Sequence, residues 1–318
     1  MSVVAGLTLA FESAAKDKHT LCLILDGAQI EGSHQKLDRW NISYLSLFDG
    51  TPEESLIEIA PLLISTAGLS ADQKLKLFTW AEGLAYQFPL LSWVESALPA
   101  IELAQHLRNF HVVGLSEDQT MLLRWYDTRI LPVWLACLTA GQSEAFAAGV
   151  VNWSYVDRTG QTSSLVSTPI PAALPLAPAL SEPMIVLSDA QYAVLVDAAD
   201  LDVLIGHLRR VIPDETKQVP KGLLTSFVSK YQQQAVQAGL HDIDRQTQYV
   251  LLALYTSGKA MDQAELKAFM KKPPQSLDDF NKGLQALSDA VWQAGPALWD
   301  ALPKTSNNLI ELDKTSHG

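Results

Sequence analysis

Cysteine is nearly absent. Cys22 and Cys137 are the only two thiols in 318 residues, too few for a disulfide framework or a thiolate zinc cluster. Both sit in apolar runs, where a buried free thiol is the expected state, and that suits a reducing cytosol. Basic residues are scarce as well: 23 Lys+Arg against 35 Asp+Glu leave a net charge of −12. This balance argues against a nucleic-acid surface, which needs a basic stripe, and against binding to anionic lipid. It fits a solvated acidic surface or a partner with a basic face. No stretch approaches the ~18 apolar residues of a membrane span. The start of the chain, MSVVAGLTLAFESAAKDK, lacks the positive opening of a secretory leader, and Glu12 interrupts its apolar patch. The expected location is therefore the cytoplasm. Asn41-Ile42-Ser43 and Asn152-Trp153-Ser154 match glycosylation acceptors, which have no meaning without export.

Catalytic signatures are missing too. There is no phosphate-binding G-x-x-x-x-G-K-[ST], no G-x-G-x-x-G, and no H-x-x-x-H or H-E-x-x-H. His106 and His111 are five apart, a spacing that does not put them on one helical face. Gly141-Gln142-Ser143-Glu144-Ala145 lacks the second glycine of a nucleophile elbow and follows a helix instead of a strand, so Ser143 is a poor nucleophile candidate. Asp26 ends the first buried strand, a place where α/β proteins keep functional carboxylates. Gly27-Ala28 follows it, and a turn capped by Asp26 is the favoured reading. No cofactor and no metal are expected.

What is present is a globular composition, 48% hydrophobic and 8% aromatic, on a chain long enough for two lobes. Thr20–Asp26 is a continuous apolar run, the mark of a strand buried on both faces. Ile42–Phe48 alternates like a second strand. Glu58–Thr66 reads as an edge or bent strand because Pro61 cannot donate to a ladder. Ser70-Ala71-Asp72-Gln73 has capping-box form and predicts a helix running towards Gly83. Phe88–Val94 reads as strand, and Pro99 opens a helix with Leu103, Leu107 and Phe110 on one face. His111–Gly114 and Thr120–Asp127 suggest a hairpin, Arg129–Ala140 a helix stopping at Gly141, and Val150–Val156 with Gln161–Val166 a second hairpin. The fold class expected for residues 1–166 is therefore an α/β lobe with a mixed sheet.

Five prolines then fall at 169, 171, 175, 178 and 183, predicting a stiff linker over 167–184. Beyond it, strand signals nearly vanish, and 185–303 reads as an all-α helical bundle. Ser188 caps a helix striped by Tyr192, Leu195, Val196, Ala199 and Val203. Leu223–Ala238 follows, with Gly239 just past its end. Asp242 opens a helix whose centre, Val250–Tyr255, is apolar all round. Gln263–Met270 is short, and Ser276 caps a last helix with Leu277, Phe280, Leu284, Leu287 and Val291 on one face. Trp292 and Trp299 near its end are candidate partner contacts, although core packing is the commoner fate of tryptophan. A polar tail over 304–318 is expected to fray.

The best-formed local signal is Gln119–Thr139. As a strand, it places Leu122, Arg124 and Tyr126 on one face and Met121, Leu123 and Trp125 on the other. A buried guanidinium at Arg124 needs a carboxylate or several carbonyls. Asp127 can cap the following helix or accept from Arg124 or Arg129, and Pro132 implies either a late start near Leu131 or a distinct opening turn. The favoured reading is a structural clasp of Arg124, Asp127 and Arg129, with a binding surface as the alternative.

Leu123-Arg124-Trp125-Tyr126-Asp127-Thr128-Arg129-Ile130-Leu131 resembles the R-[FW]-[YW]-D-P-R-[VI]-[LF] hallmark of a bacterial domain-of-unknown-function family whose members act as type VI secretion effector adaptors, or effector chaperones. Thr128 replaces its usual proline. In the same order, Leu25-Asp26-Gly27-Ala28 resembles its first strand "LLDAA", Leu47-Phe48-Asp49-Gly50-Thr51 its "LFxGT", Ala60-Pro61-Leu62-Leu63 its "APYLV", and His106-Leu107-Arg108 its "HLR". The resemblance covers about residues 20 to 155; the C-terminal lobe matches only loosely, through Gly239-Leu240. It implies a cytoplasmic, non-enzymatic chaperone that binds an effector encoded nearby and helps load it on the VgrG spike, without ATP or metal. The alternatives are a hydrolase using Asp26 with a distant histidine, or a structural subunit of a secretion assembly.

Overall fold

A computed structural model describes residues 2–116, 118–166 and 183–302. The expected linker prolines at 169, 171, 175 and 178, and the tail from 304, lie outside the described residues. The chain divides into two compact units, Met1–Asp200 and Leu201–Gly318. That boundary falls inside one helix and not at the proline cluster. Each unit has its own apolar core.

In the first unit the chain runs α1 (Val3–Asp17), β1 (Thr20–Asp26), α2 (Ser33–Arg39), β2 (Leu45–Ser46), β3 (Pro61–Ser65), α3 (Ala71–Ala85), β4 (Leu91–Ser96), α4 (Ala100–Arg108), β5 (Val112–Gly114), β6 (Thr120–Leu122), α5 (Leu131–Cys137), α6 (Ala140–Phe146), β7 (Val150–Val156) and β8 (Thr162–Val166); α7 (Asp189–Val211) spans the boundary. Six strands form a sheet in the order β2-β3-β1-β4-β7-β8; β5 and β6 make a separate two-stranded sheet. The α/β lobe is found, with one correction: each pairing between these strands is antiparallel, where a mixed sheet was expected. α3 does carry the chain back across the sheet, so β3 and β4 run in the same direction. β1 lies between them, however, and pairs antiparallel with each.

β1 is central. Its Leu21–Leu25 run is fully buried because the strand is paired on both sides and covered on both faces. β3 is an interior strand, not an edge. Pro61 opens it opposite Asp26, where the ladder needs no donor from that residue. The expected strand over 42–48 contracts to two residues. The capping box at Ser70 forms in both directions: the Ser70 hydroxyl accepts from Gln73 N–H (3.2 Å), and the Gln73 side chain accepts from Ser70 N–H (3.0 Å). Val3–Asp17, to which sequence reading assigns no element, forms α1. Ser2 caps it, its Oγ accepting from Ala5 N–H at 3.2 Å, and the carboxylate of Glu82 in α3 accepts from Val4 N–H at 3.1 Å.

The second unit holds the end of α7, then α8 (Pro213–Gln218), α9 (Lys221–Gln237), α10 (Ile243–Tyr255), α11 (Ala264–Met270), α12 (Leu277–Gln285), α13 (Asp289–Trp292) and α14 (Leu298–Ala301). Its described residues contain no strand, in keeping with the expected helical lobe. Gly239 takes φ +88°, and Leu240 N–H donates to Ala235 O at 3.0 Å, closing α9 as a glycine C-terminus does. Two stripes are corrected. Tyr192, Val196 and Val203 of α7 are exposed, and Leu195, Leu204, Ile205 and Leu208 are the buried residues. The last expected helix is two, broken between Gln285 and Asp289. Among the described residues no helix is long and apolar enough to cross a membrane.

Candidate functional site

β6 ends at Leu122, three residues long, and belongs to the small sheet. Leu123–Ile130 is therefore a folded turn and not a strand driven into the main sheet. Leu123 N–H donates to His111 O (2.6 Å), Asp127 N–H to Arg124 O (3.0 Å) and Thr128 N–H to Pro89 O (3.3 Å). α5 starts at Leu131 with Pro132 in its first turn and no side-chain cap, so Asp127 does not cap that helix. Its Oδ1 accepts instead from Arg129 N–H, two residues on, at 3.0 Å.

The structure brings Arg124, Asp127 and Arg129 together and adds Asp26 to them. Arg129 grips Asp127 with two nitrogens, Nε to Oδ1 at 2.9 Å and Nη2 to Oδ2 at 2.6 Å. Arg124 Nη2 donates to Oδ2 of Asp26 at 2.6 Å, across 98 residues, and lies 3.9 Å from Asp127. The Asp26 side chain has 0% exposure and that of Arg124 has 40%. The same Asp26 caps its own turn: Oδ1 accepts from Ala28 N–H at 3.1 Å, and Oδ2 from Gln29 Nε2 at 3.3 Å. Burial raises the Asp26 carboxyl above its ordinary range; the Arg124 charge opposes the shift and nearby Asp127 adds to it. Burial alone would lower the Arg124 guanidinium, but Asp26 and Asp127 outweigh it and hold it above its usual value. Burial likewise raises the Tyr126 phenol.

Behind the clasp is an aromatic core. Trp125 and Tyr126 are buried. Trp125 stacks on His111 (centroids 5.5 Å, planes 14° apart) and meets Phe146 and Trp153 edge-on. Neither His111 ring nitrogen has a partner in good hydrogen-bond geometry. Burial pushes its pKa down to about 4; the Leu47 backbone pulls the other way without offsetting it, and the Arg108 charge adds to the fall. Burial also lowers His106, whose Nε2 lies 3.0 Å from Phe146 O.

The scattered sequence segments meet here. Arg108 donates to Ser46 O (2.7 Å) and Asp49 Oδ2 (3.0 Å), tying the His106–Arg108 segment to Leu47–Thr51. Gly27 sits so close to the Ala60 carbonyl that a Cβ would fall 2.2 Å from its oxygen, joining Leu25–Ala28 to Ala60–Leu63. Ser143 and Gly141 lie within α6, which Thr139 and Gln142 cap. There is no elbow turn, and Gly141 does not stop a helix. Trp292 is 40% exposed and lines a cleft of about 230 Å³ with Leu251, Tyr255 and Leu284. Trp299 is partly buried, edge-on to Tyr255 at 5.1 Å. Sequence reading missed an apolar groove of about 520 Å³ between Pro132, Val133 and Ala136 of α5 and Ala190 and Val194 of α7. Gln191 fixes its floor by donating to Cys137 O at 2.8 Å, and neither helix advertises the groove by itself.

No curated protein and no solved structure matches the chain. A family model described as a domain of unknown function (DUF4123) matches residues 21–145, the stretch from β1 into α6 that carries every segment of the clasp.

Proposed function

We propose that this protein is a non-catalytic adaptor, or chaperone, that binds a type VI secretion effector in the cytoplasm and helps load it on a VgrG spike. The observation that carries this reading is the family-model match over residues 21–145, the same residues whose ordered segments resemble the effector-adaptor family. Two further features support it. Both oxygens of Asp26 are engaged, by Ala28 on one side and by Gln29 and Arg124 on the other. A base at this position would have to break its ion pair first, so the hydrolase alternative loses its best residue. Arg124, Asp127 and Arg129 hold the first unit together, which leaves partner contacts to other surfaces; Trp292 and Trp299 of the second unit are among the candidates.

The test is co-expression with candidate effectors encoded near it, followed by affinity capture and a delivery assay in a deletion strain. A complex that survives purification, and loss of effector export on deletion, are expected. Export that continues undiminished in the deletion strain, with no complex, overturns the reading. Trp292→Ala should weaken capture while leaving the far-ultraviolet dichroism unchanged. Undiminished capture would remove Trp292 from the interface.

A further inference from the structure

The geometry points to a divalent-metal site at the other end of β1, made by Asp17, His19 and Glu95. β1 is seven residues long, so this site lies roughly 20 Å along the strand from Asp26. Each of the three side chains offers one ligand atom, and these atoms all lie within 4.8 Å of one another. They come from two places in the fold, Asp17 and His19 from the turn between α1 and β1 and Glu95 from β4. Asp17 ends α1. Lys18 then takes a left-handed turn, φ 59°, and His19 N–H bonds back to Ala14 O at 2.9 Å. That turn brings His19 round beside Asp17 at the entry to β1. Glu95 projects from β4, opposite Leu21, where the β4–β7 ladder slips register between Glu95 and Ser96.

Glu95 is the independent reason to look for a ligand. It is only 5% exposed, a buried carboxylate near the end of an interior strand. Among the described residues no lysine or arginine pairs with it; its ion-pair partner is His19, with Nδ1 at 2.9 Å from Oε1. A buried carboxylate needs opposite charge, and an imidazole supplies it only when protonated. A bound cation supplies it permanently. One imidazole nitrogen with two carboxylate oxygens suits a first-row divalent ion such as Zn²⁺, Co²⁺ or Mn²⁺, with bonds of roughly 2.0–2.2 Å. At that bond length the His19 and Glu95 atoms need to part by only a few tenths of an ångström. Asp17 is exposed, so it closes the site from the solvent side and water completes the coordination. The ion would pin the end of α1 to the sheet.

Titration of the metal-free full chain with Zn²⁺, by calorimetry, and with Co²⁺, by its visible absorption, tests this. One equivalent of tightly bound metal and a raised Tm are expected. Loss of an outer-sphere partner costs about 10–100-fold in metal affinity, so loss of a ligand in His19→Ala or Glu95→Gln should weaken binding at least about tenfold. Asp17→Asn, at an exposed position, gives a second variant that keeps its fold if Glu95→Gln does not. Absence of Zn²⁺ and Co²⁺ binding by the wild-type chain overturns the proposal. So does binding that persists unchanged in both His19→Ala and Asp17→Asn, since the metal would then sit on other histidines.

Discussion

At the residue scale, the clasp sets its own test. Arg124→Ala leaves Asp26 buried without its cation. Breaking a fully buried pair costs about 3–5 kcal/mol, and with Arg124 40% exposed the expected loss is roughly 2–3 kcal/mol, read as a fall in the urea midpoint. A variant as stable as wild type that loses partner capture would instead make Arg124 an interface residue. His111 makes the opposite prediction. Its ring nitrogens have no well-placed partners, so His111→Phe forfeits no strong hydrogen bond and keeps the stack on Trp125; it should cost little near neutral pH. The pH dependence should change more. With a folded pKa of about 4 against an ordinary 6.5, the unfolded chain binds the extra proton between those values. Stability is full above about pH 6.5 and falls towards pH 4, by roughly 3 kcal/mol in all. The lowered His106 adds to the fall, and the raised Asp26 opposes it, because its folded state holds the proton more tightly. Stability measured against pH should show a shallower acid limb in His111→Phe; an unchanged limb would rule out His111 as its source.

At the scale of elements, local chemistry is readable in the sequence and long-range pairing is not. Ser70 with Gln73, Asp242 and Gly239 each announce a helix end by a bond made within a few residues, and each end is where the sequence places it. Thr20–Asp26 is readable as a doubly buried strand from its unbroken apolar run. Gln119–Asp127 misleads, because its apolar residues have the look of a strand and instead fill an aromatic core from a turn. Nothing in the periodicity separates those two fates. Half of the clasp is legible, since Asp127 and Arg129 are neighbours. Asp26 reads only as a turn cap, because its partnership with Arg124 depends on a pairing 98 residues long. Gly27 shows the same limit. It reads as a turn glycine, yet its constraint is the Ala60 carbonyl. Gly27→Ala should cost roughly 2–3 kcal/mol, near the top of the overpacking range; a Tm within a degree of wild type would show that the turn can move aside.

At the scale of the whole molecule, two separate cores imply two cooperative units. Trp40, Trp80, Trp93, Trp125, Trp134 and Trp153 belong to the first, and only Trp292 and Trp299 to the second. Helical residues divide about evenly between the two, so the dichroism reports both. Urea unfolding followed by tryptophan fluorescence and by dichroism at 222 nm should therefore give transitions that do not coincide. Superimposable curves would mean that the units melt as one.

The central position of β1 has a consequence in time. Its partners β3 and β4 lie far along the chain, so a strand made early stays unpaired until residue 65 has followed and open on its other side until residue 96. The helical unit is built mostly of packing between neighbouring helices, α9 with α10 above all, and such local topologies fold faster than long-range sheets. In refolding from denaturant, helix signal from the C-terminal unit should therefore return before the burial of Trp125 and Trp153. The Asp26–Arg124 bond, spanning the longest loop of the clasp, should close last, so Arg124→Ala should speed unfolding and leave the folding rate nearly unchanged.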